Sequence, residues 1–237
     1  MNPLNRTRLE KAASDCGFEL TPEMDEGALI LRSAQFPEHV SVQSQGNDVF
    51  VLRSDHALLL PTSMSDGLLV YGWDELYQVL EKATAIARTM PNRVAEKFQS
   101  AIAGMPRSTE VERLVVQRVG QDLFRSALLD FWGNACCITD LAIPELLRAS
   151  HIKPWARCDS DEERLDVFNG LLLAPHLDAL FDGGWLTVED TGRVRFSSEL
   201  TETARDQLGL KTEMGVSGLN ASHSPYLEHH RNAIFRG

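Results

Sequence analysis

A chain of 237 residues with 43% hydrophobic and 24% charged side chains has the composition of an ordinary soluble globular protein, long enough for one large core or two small ones. No run of about 18 apolar residues marks a transmembrane helix, and the mixed-charge opening MNPLNRTRLEKAASDCGFEL predicts no secretory leader. A net charge of −11 weighs against a general nucleic-acid coat, whose affinity rests on clustered Lys and Arg, yet leaves room for a local basic cleft.

Residues 6–16 place Leu9, Ala12, Ala13 and Cys16 on one helical face, and Gly17 suits the helix end. Short extended segments are predicted at 28–32 (ALILR), 40–43 (VSVQ), 49–53 (VFVLR) and 57–60 (ALLL), with QGND at 45–48 as a hairpin loop. A helix comes next over 74–88, with Leu76, Val79, Leu80 and Ala83 in a stripe and Pro91 as its stop. Together these predict a small α+β domain over 1–90. Its His56, in the turn Ser54-Asp55-His56, reads as a surface histidine. The domain shows no catalytic constellation, so it is either a recognition or regulatory module or a scaffold shielding the second domain.

Residues 91–109, with Pro91, Gly104 and Pro106, read as a linker. A helix over 112–131 begins at the capping-type sequence Ser108-Thr109-Glu110-Val111-Glu112. Gly120 interrupts it at a cost of about 1 kcal/mol relative to Ala, so either one helix bears that cost or two meet there. Arg118, Gln121 and Arg125 share a face, which is either a phosphate-contacting surface or a solvated one.

Strands are predicted at 136–139 (CCIT) and 147–152 (LRASHI), followed by a polar excursion over 154–166. Asn169 then opens the buried run Gly170-Leu171-Leu172-Leu173, and Pro175 starts a helix turning Leu177, Leu180 and Phe181 inward. A histidine at a strand end, His151, can take a proton from water near neutral pH. A carboxylate on the facing helix suits a hard cation such as magnesium or manganese. Base and cation on opposite walls fit phosphodiester hydrolysis. The four cysteines, Cys16, Cys136, Cys137 and Cys158, include no CxxC pair, so a zinc ribbon is disfavoured, and they read as reduced thiols of a cytoplasmic protein.

Farther on, WLTV and VRFS at 185–188 and 194–197 predict a hairpin, with a helix over 201–208 and a last helix over 225–235. His229, His230 and Arg231 on that last helix read as a positive end favoured by the helix dipole.

The stretch SHIKPW…NGLLL…LFD resembles the HNH endonucleases of the ββα-metal type. The likeness extends to RVGQDLFRSALLDFWGNACCIT upstream and YLEHHRNAIF at the close, over roughly 110–235. The resemblance implies an α+β chain in which a nuclease domain with flanking helices, 110–237, follows the N-terminal one. Position by position, it makes His151 the general base and Asn169 the residue that fixes the base-bearing loop. The third motif position, nine residues after the asparagine, is Asp178 instead of histidine, which shifts the expected metal towards magnesium or manganese, with zinc or nickel as alternatives. Ser150 replaces the usual acid before the base, leaving the second metal ligand open between Asp182, one turn beyond Asp178, and His176, two residues before it. Asp182 has a competing reading as a cap for Gly183-Gly184. Lys153 and Arg157, just after the base, join Arg118 and Arg125 as candidate nucleic-acid contacts, while Trp155 is expected to pack under the loop.

The expected activity is metal-dependent hydrolysis of DNA in restriction or defence, and a homodimer would supply the two sites that opposite-strand nicks need. The alternative is a nuclease-like module that has lost catalysis and binds or senses nucleic acid.

Overall fold

The computed structural model describes residues 3–60, 67–106 and 108–237. It separates into two compact units, Met1–Arg88 and Thr89–Gly237, each mixing helices and strands. Among the described residues no helix is long and apolar enough to cross a membrane.

In the first unit, α1 (Pro3–Asp15) buries Leu9, Ala12 and Ala13. Gly17 ends it with a φ of +94°, a conformation that favours a residue without Cβ. A five-stranded antiparallel meander comes next in sequence order: β1 (Glu23–Asp25), β2 (Ala28–Leu31), β3 (Val40–Gly46), β4 (Val49–Ser54) and β5 (Leu68–Tyr71). The β3–β4 turn puts Asn47 and Asp48 at φ +51° and +56°, the left-handed pair that a two-residue hairpin needs and that Asn and Asp tolerate. Helix α2 (Trp73–Arg88) buries Leu76, Leu80 and Ala83, as its stripe predicts. Two details depart from the sequence pattern. Residues 57–60 are a turn, closed by Leu59 N–H donating to His56 O at 3.2 Å, and the edge strands β1 and β5 have patterns too short to read. The His56 Nδ1 accepts from Leu58 N–H at 3.3 Å, a local turn role.

The second unit begins with α3 (Pro91–Ala101), so most of the segment read as a linker is helix. Pro91 sits in its first turn, where its missing N–H has no partner to lose, and Val94, Ala95 and Phe98 are buried. Helix α4 (Glu110–Phe131) is continuous through Gly120 and starts at a capping box between Thr109 and Glu112. Next come β6 (Arg148–His151), the short α5 (Asp161–Arg164), β7 (Gly170–Leu173) and α6 (Pro175–Asp182). Strands β6 and β7 pair antiparallel, with His151 opposite Gly170.

The ββα unit therefore uses the GLLL run as its second strand, and CCIT is not a strand. Asp140, at φ +56°, closes those residues into a turn in which its N–H donates to Cys136 O at 3.0 Å. Cys137 N–H reaches Leu172 O at 2.9 Å and so braces β7 from the side. Phe124 and Leu128 of α4 lie on Gly170, where an added Cβ would stand 2.6 Å from Phe124 Cζ and 2.7 Å from Leu128 Cδ1.

The hairpin β8 (Leu186–Val188) and β9 (Val194–Phe196), then α7 (Glu202–Gln207) and α8 (Ser224–Ala233), complete the unit. His230 is not a solvated cation at a helix end. It is buried, stacked on Phe181 at 3.9 Å, and hydrogen-bonded to Thr187 Oγ1 and Phe181 O, both at 3.0 Å. Burial pushes its pKa down to about 4, so it is a neutral strut between α8 and α6.

Candidate active site

His151 ends β6 with its ring held on three sides. It stacks on Phe124 at 3.9 Å, meets the edge of Trp155 at 5.7 Å, and brings Nε2 to 2.8 Å from the carbonyl oxygen of Arg164. A carbonyl can only accept, so Nε2 carries the proton and Nδ1 keeps its lone pair. Burial pushes the imidazole pKa below its ordinary value, and the Arg164 carbonyl offsets this in part. The ring is therefore neutral at pH 7, the state a general base requires.

The loop from Ile152 to Asn169 sets that carbonyl. Asn169 is fully buried and ties both arms of the loop together. Its Oδ1 accepts from Lys153 N–H at 2.7 Å, while Nδ2 donates to Lys153 O at 3.2 Å and Glu163 O at 3.1 Å. The Arg164 guanidinium crosses the same loop to Cys158 O at 2.6 Å, Trp155 O at 3.3 Å and Asp161 Oδ1 at 3.1 Å. Arg164 lies in the charged run DEER, and nothing in that pattern separates it from a solvated arginine. At the far end of the loop, Asp166 accepts from Phe168 N–H and from the Tyr226 hydroxyl, both at 2.8 Å. Burial raises its pKa to about 6.

His151 opens onto a cleft of about 480 Å³ that is also lined by Arg148, Ser150, Trp155, Asp178 and Asp182. Asp178 and Asp182 stand one turn apart on α6. Desolvation raises the Asp182 pKa first and the nearby Asp178 charge adds to it, partly offset by Ser150 Oγ–H donating to Asp182 Oδ1 at 3.2 Å. Asp182 thus uses its carboxylate towards β6, while the Gly183 and Gly184 N–H groups bond to Ala179 O and Phe181 O. Two neighbouring carboxylates suit a hard cation that completes its shell with water and phosphate oxygens. Among the described residues, no three His, Cys, Asp or Glu side chains form a group able to hold a metal by themselves. His176 is exposed in the first turn of α6 and outside this cleft, because residues two apart on a helix face different ways.

The predicted nucleic-acid contacts divide. Arg125 donates to Leu147 O and Pro144 O, both at 2.6 Å, and so pins the 141–147 loop under β6. Two of its guanidinium donors are thus engaged by main chain. Lys153 is paired with Glu163 at 2.7 Å and has 17% of its side chain exposed. Arg118 is solvated beside Asp122 at 3.4 Å, and Arg157 is exposed on the turn after Trp155. Trp155 packs against α4 at Gly120, as well as beside the base. The cleft's own arginine, Arg148, is not among the residues that the sequence pattern singles out. Its one signal is the period of two along β6, which puts it on the face of Ser150.

A strand–loop–strand–helix unit with histidine at the strand end and carboxylates on the facing helix has the form of a ββα nuclease site. Residues 136–189 match the family model described as HNH endonuclease, from the Cys136 turn through the whole ββα unit to the end of β8. Over that stretch the chain is similar to the HNH endonucleases. No curated protein matches the chain.

Proposed function

We propose that the second unit is a divalent-metal-dependent endonuclease that hydrolyses DNA phosphodiester bonds. The observation that carries this reading is the pinned imidazole: a neutral His151, fixed by Arg164 O through Nε2, lining one cleft with Asp178 and Asp182. In the reaction, Nδ1 of His151 accepts a proton from water as the oxygen attacks phosphorus. The P–O bond to the leaving oxygen breaks, and that oxygen leaves with a proton from solvent. Asp178 and Asp182 would hold the cation, magnesium or manganese by donor chemistry. When bound, the cation neutralises charge on the phosphate and the departing oxygen. Asn169 and Arg164 act as positioning residues, since they shape the loop whose carbonyl orients the base.

A reduced, cytoplasmic setting, a role in restriction or defence, a recognition or control function for residues 1–90 and a homodimer making paired nicks complete the proposal. Plasmid cleavage with magnesium or manganese tests it. His151→Ala is expected to lower the rate by at least about a hundredfold, the lower range for general-base catalysis. Undiminished cleavage by that variant rejects His151 as the base.

Asp178 at the third motif position, Ser150 before the base and the net charge of −11 favour a second reading, a nuclease-like module that binds nucleic acid without cutting it. Thermal melting separates the two. Stabilisation by magnesium or manganese that Asp178→Ala removes supports the enzyme. No shift with any divalent metal, together with no cleavage, supports the module.

A further inference from the structure

We propose that Arg148 is a substrate-binding residue that holds a phosphate of the nucleic acid over His151, an inference that rests on the nuclease reading of this cleft. Arg148 opens β6 opposite Leu173, and alternation along the strand puts it on the same face as Ser150, whose hydroxyl meets Asp182. It lines the cleft together with His151, Asp178 and Asp182. Among the charged groups lining that cleft, the two aspartates are negative, His151 is neutral and Arg148 is the cation.

The nearby cations are engaged elsewhere. Arg125 is spent on two carbonyls, Arg164 on the base loop, and Lys153 on Glu163. Arg148 is exposed and has no ion-pair partner among the described residues. A phosphodiester entering a cleft with two carboxylates meets repulsion that an arginine fork offsets, and guanidinium geometry matches two phosphate oxygens at once. Arg148 and His151 stand at the two ends of β6 and line the same cleft, which ties that contact to the space the base opens onto.

The test measures cleavage of a short duplex with magnesium or manganese and, in chelator, the salt dependence of binding to the same duplex. It uses the full-length wild type, Arg148→Ala and Arg148→Lys. Arg148→Ala is expected to lower kcat/KM and binding by about ten- to hundredfold, as loss of a hydrogen bond to a charged group does. It should also reduce the slope of log affinity against log salt by about 0.9, one phosphate contact. Arg148→Lys should keep the slope, since the charge remains, while recovering only part of the rate. Circular dichroism melting of the variants checks that each is folded.

If the wild type cuts and Arg148→Ala changes neither rate nor slope, Arg148 is overturned and the nuclease reading stands. If the wild type binds without cutting and Arg148→Ala still lowers the slope, the contact stands and the catalytic reading fails. A wild type that neither binds nor cuts overturns both.

Discussion

Gly120→Ala sets helix propensity against packing, and the structure says which prevails. In an open helix interior the change stabilises by about 1 kcal/mol. Here the new Cβ would lie 2.6 Å from Trp155 Cη2 and 3.3 Å from Phe98 Cε2, inside any ordinary carbon contact. Overpacking of this kind costs about 1–3 kcal/mol. The net expectation is between no change and a loss of about 2 kcal/mol, or up to about 8 °C in Tm for a unit of this size. The effect on function should be larger than that on stability. Trp155 meets the ring of the base edge-on at 5.7 Å, and its carbonyl accepts from Arg164 Nε, so a shift of Trp155 disturbs the base or the loop that orients it. A displaced imidazole loses the near-attack geometry that catalysis depends on, so cleavage should fall by at least about tenfold. Thermal melting and plasmid cleavage on one preparation read both quantities. A variant that melts about 1 kcal/mol more stable and cuts at the wild-type rate refutes the packing of Trp155 into Gly120.

Two more outcomes arise from the hydrogen bonds around β6. Arg125→Ala removes two 2.6 Å bonds to main-chain carbonyls and should cost about 2–4 kcal/mol in urea unfolding, allowing for partial exposure, with the salt slope of DNA binding unchanged; an unaltered midpoint would show that the 141–147 loop does not depend on it. Burial lowers the His151 pKa and the neutral ring is the working form, so activity is retained at pH 7 and lost only as pH falls through the folded-state value. The acid limb of the kcat/KM profile should therefore lie below the ordinary histidine value of 6.5, and a limb above it contradicts the buried, pinned ring.

The parts of the fold legible in the sequence are those whose signal is local. The α1 and α2 stripes, the Asn47-Asp48 turn and the β8–β9 hairpin each write their conformation into a few adjacent residues. The HNH likeness of SHIKPW…NGLLL…LFD is legible too, and the family match covers it. The features that escape such reading depend on partners distant in sequence. Nothing in DEER says that Arg164 will lend its carbonyl to His151, and nothing in RVGQDLFR says that Arg125 will face Leu147 and Pro144 in place of solvent. CCIT has strand-forming residues, yet the left-handed Asp140 turns it back on itself and leaves β7 as the partner of β6. Residues 91–109 carry the punctuation of a linker, but Pro91 can start a helix as readily as end one.

The glycines show why such signals mislead. In sequence, Gly120 reads as a break in a helix and Gly170 as the lead into a buried run. In the fold, both are absences of side chain that let an aromatic ring approach the backbone: Trp155 at Gly120 and Phe124 at Gly170. Those two rings are the ones that flank His151. The propensity cost of about 1 kcal/mol at Gly120 is thus offset by an aromatic contact that exists only because the position is empty. The walls of the imidazole are built from residues near 120, 155 and 170, brought together by α4 lying across β6 and β7. The histidine could be found from its motif, whereas its orientation is a property of packing between segments that no local pattern joins.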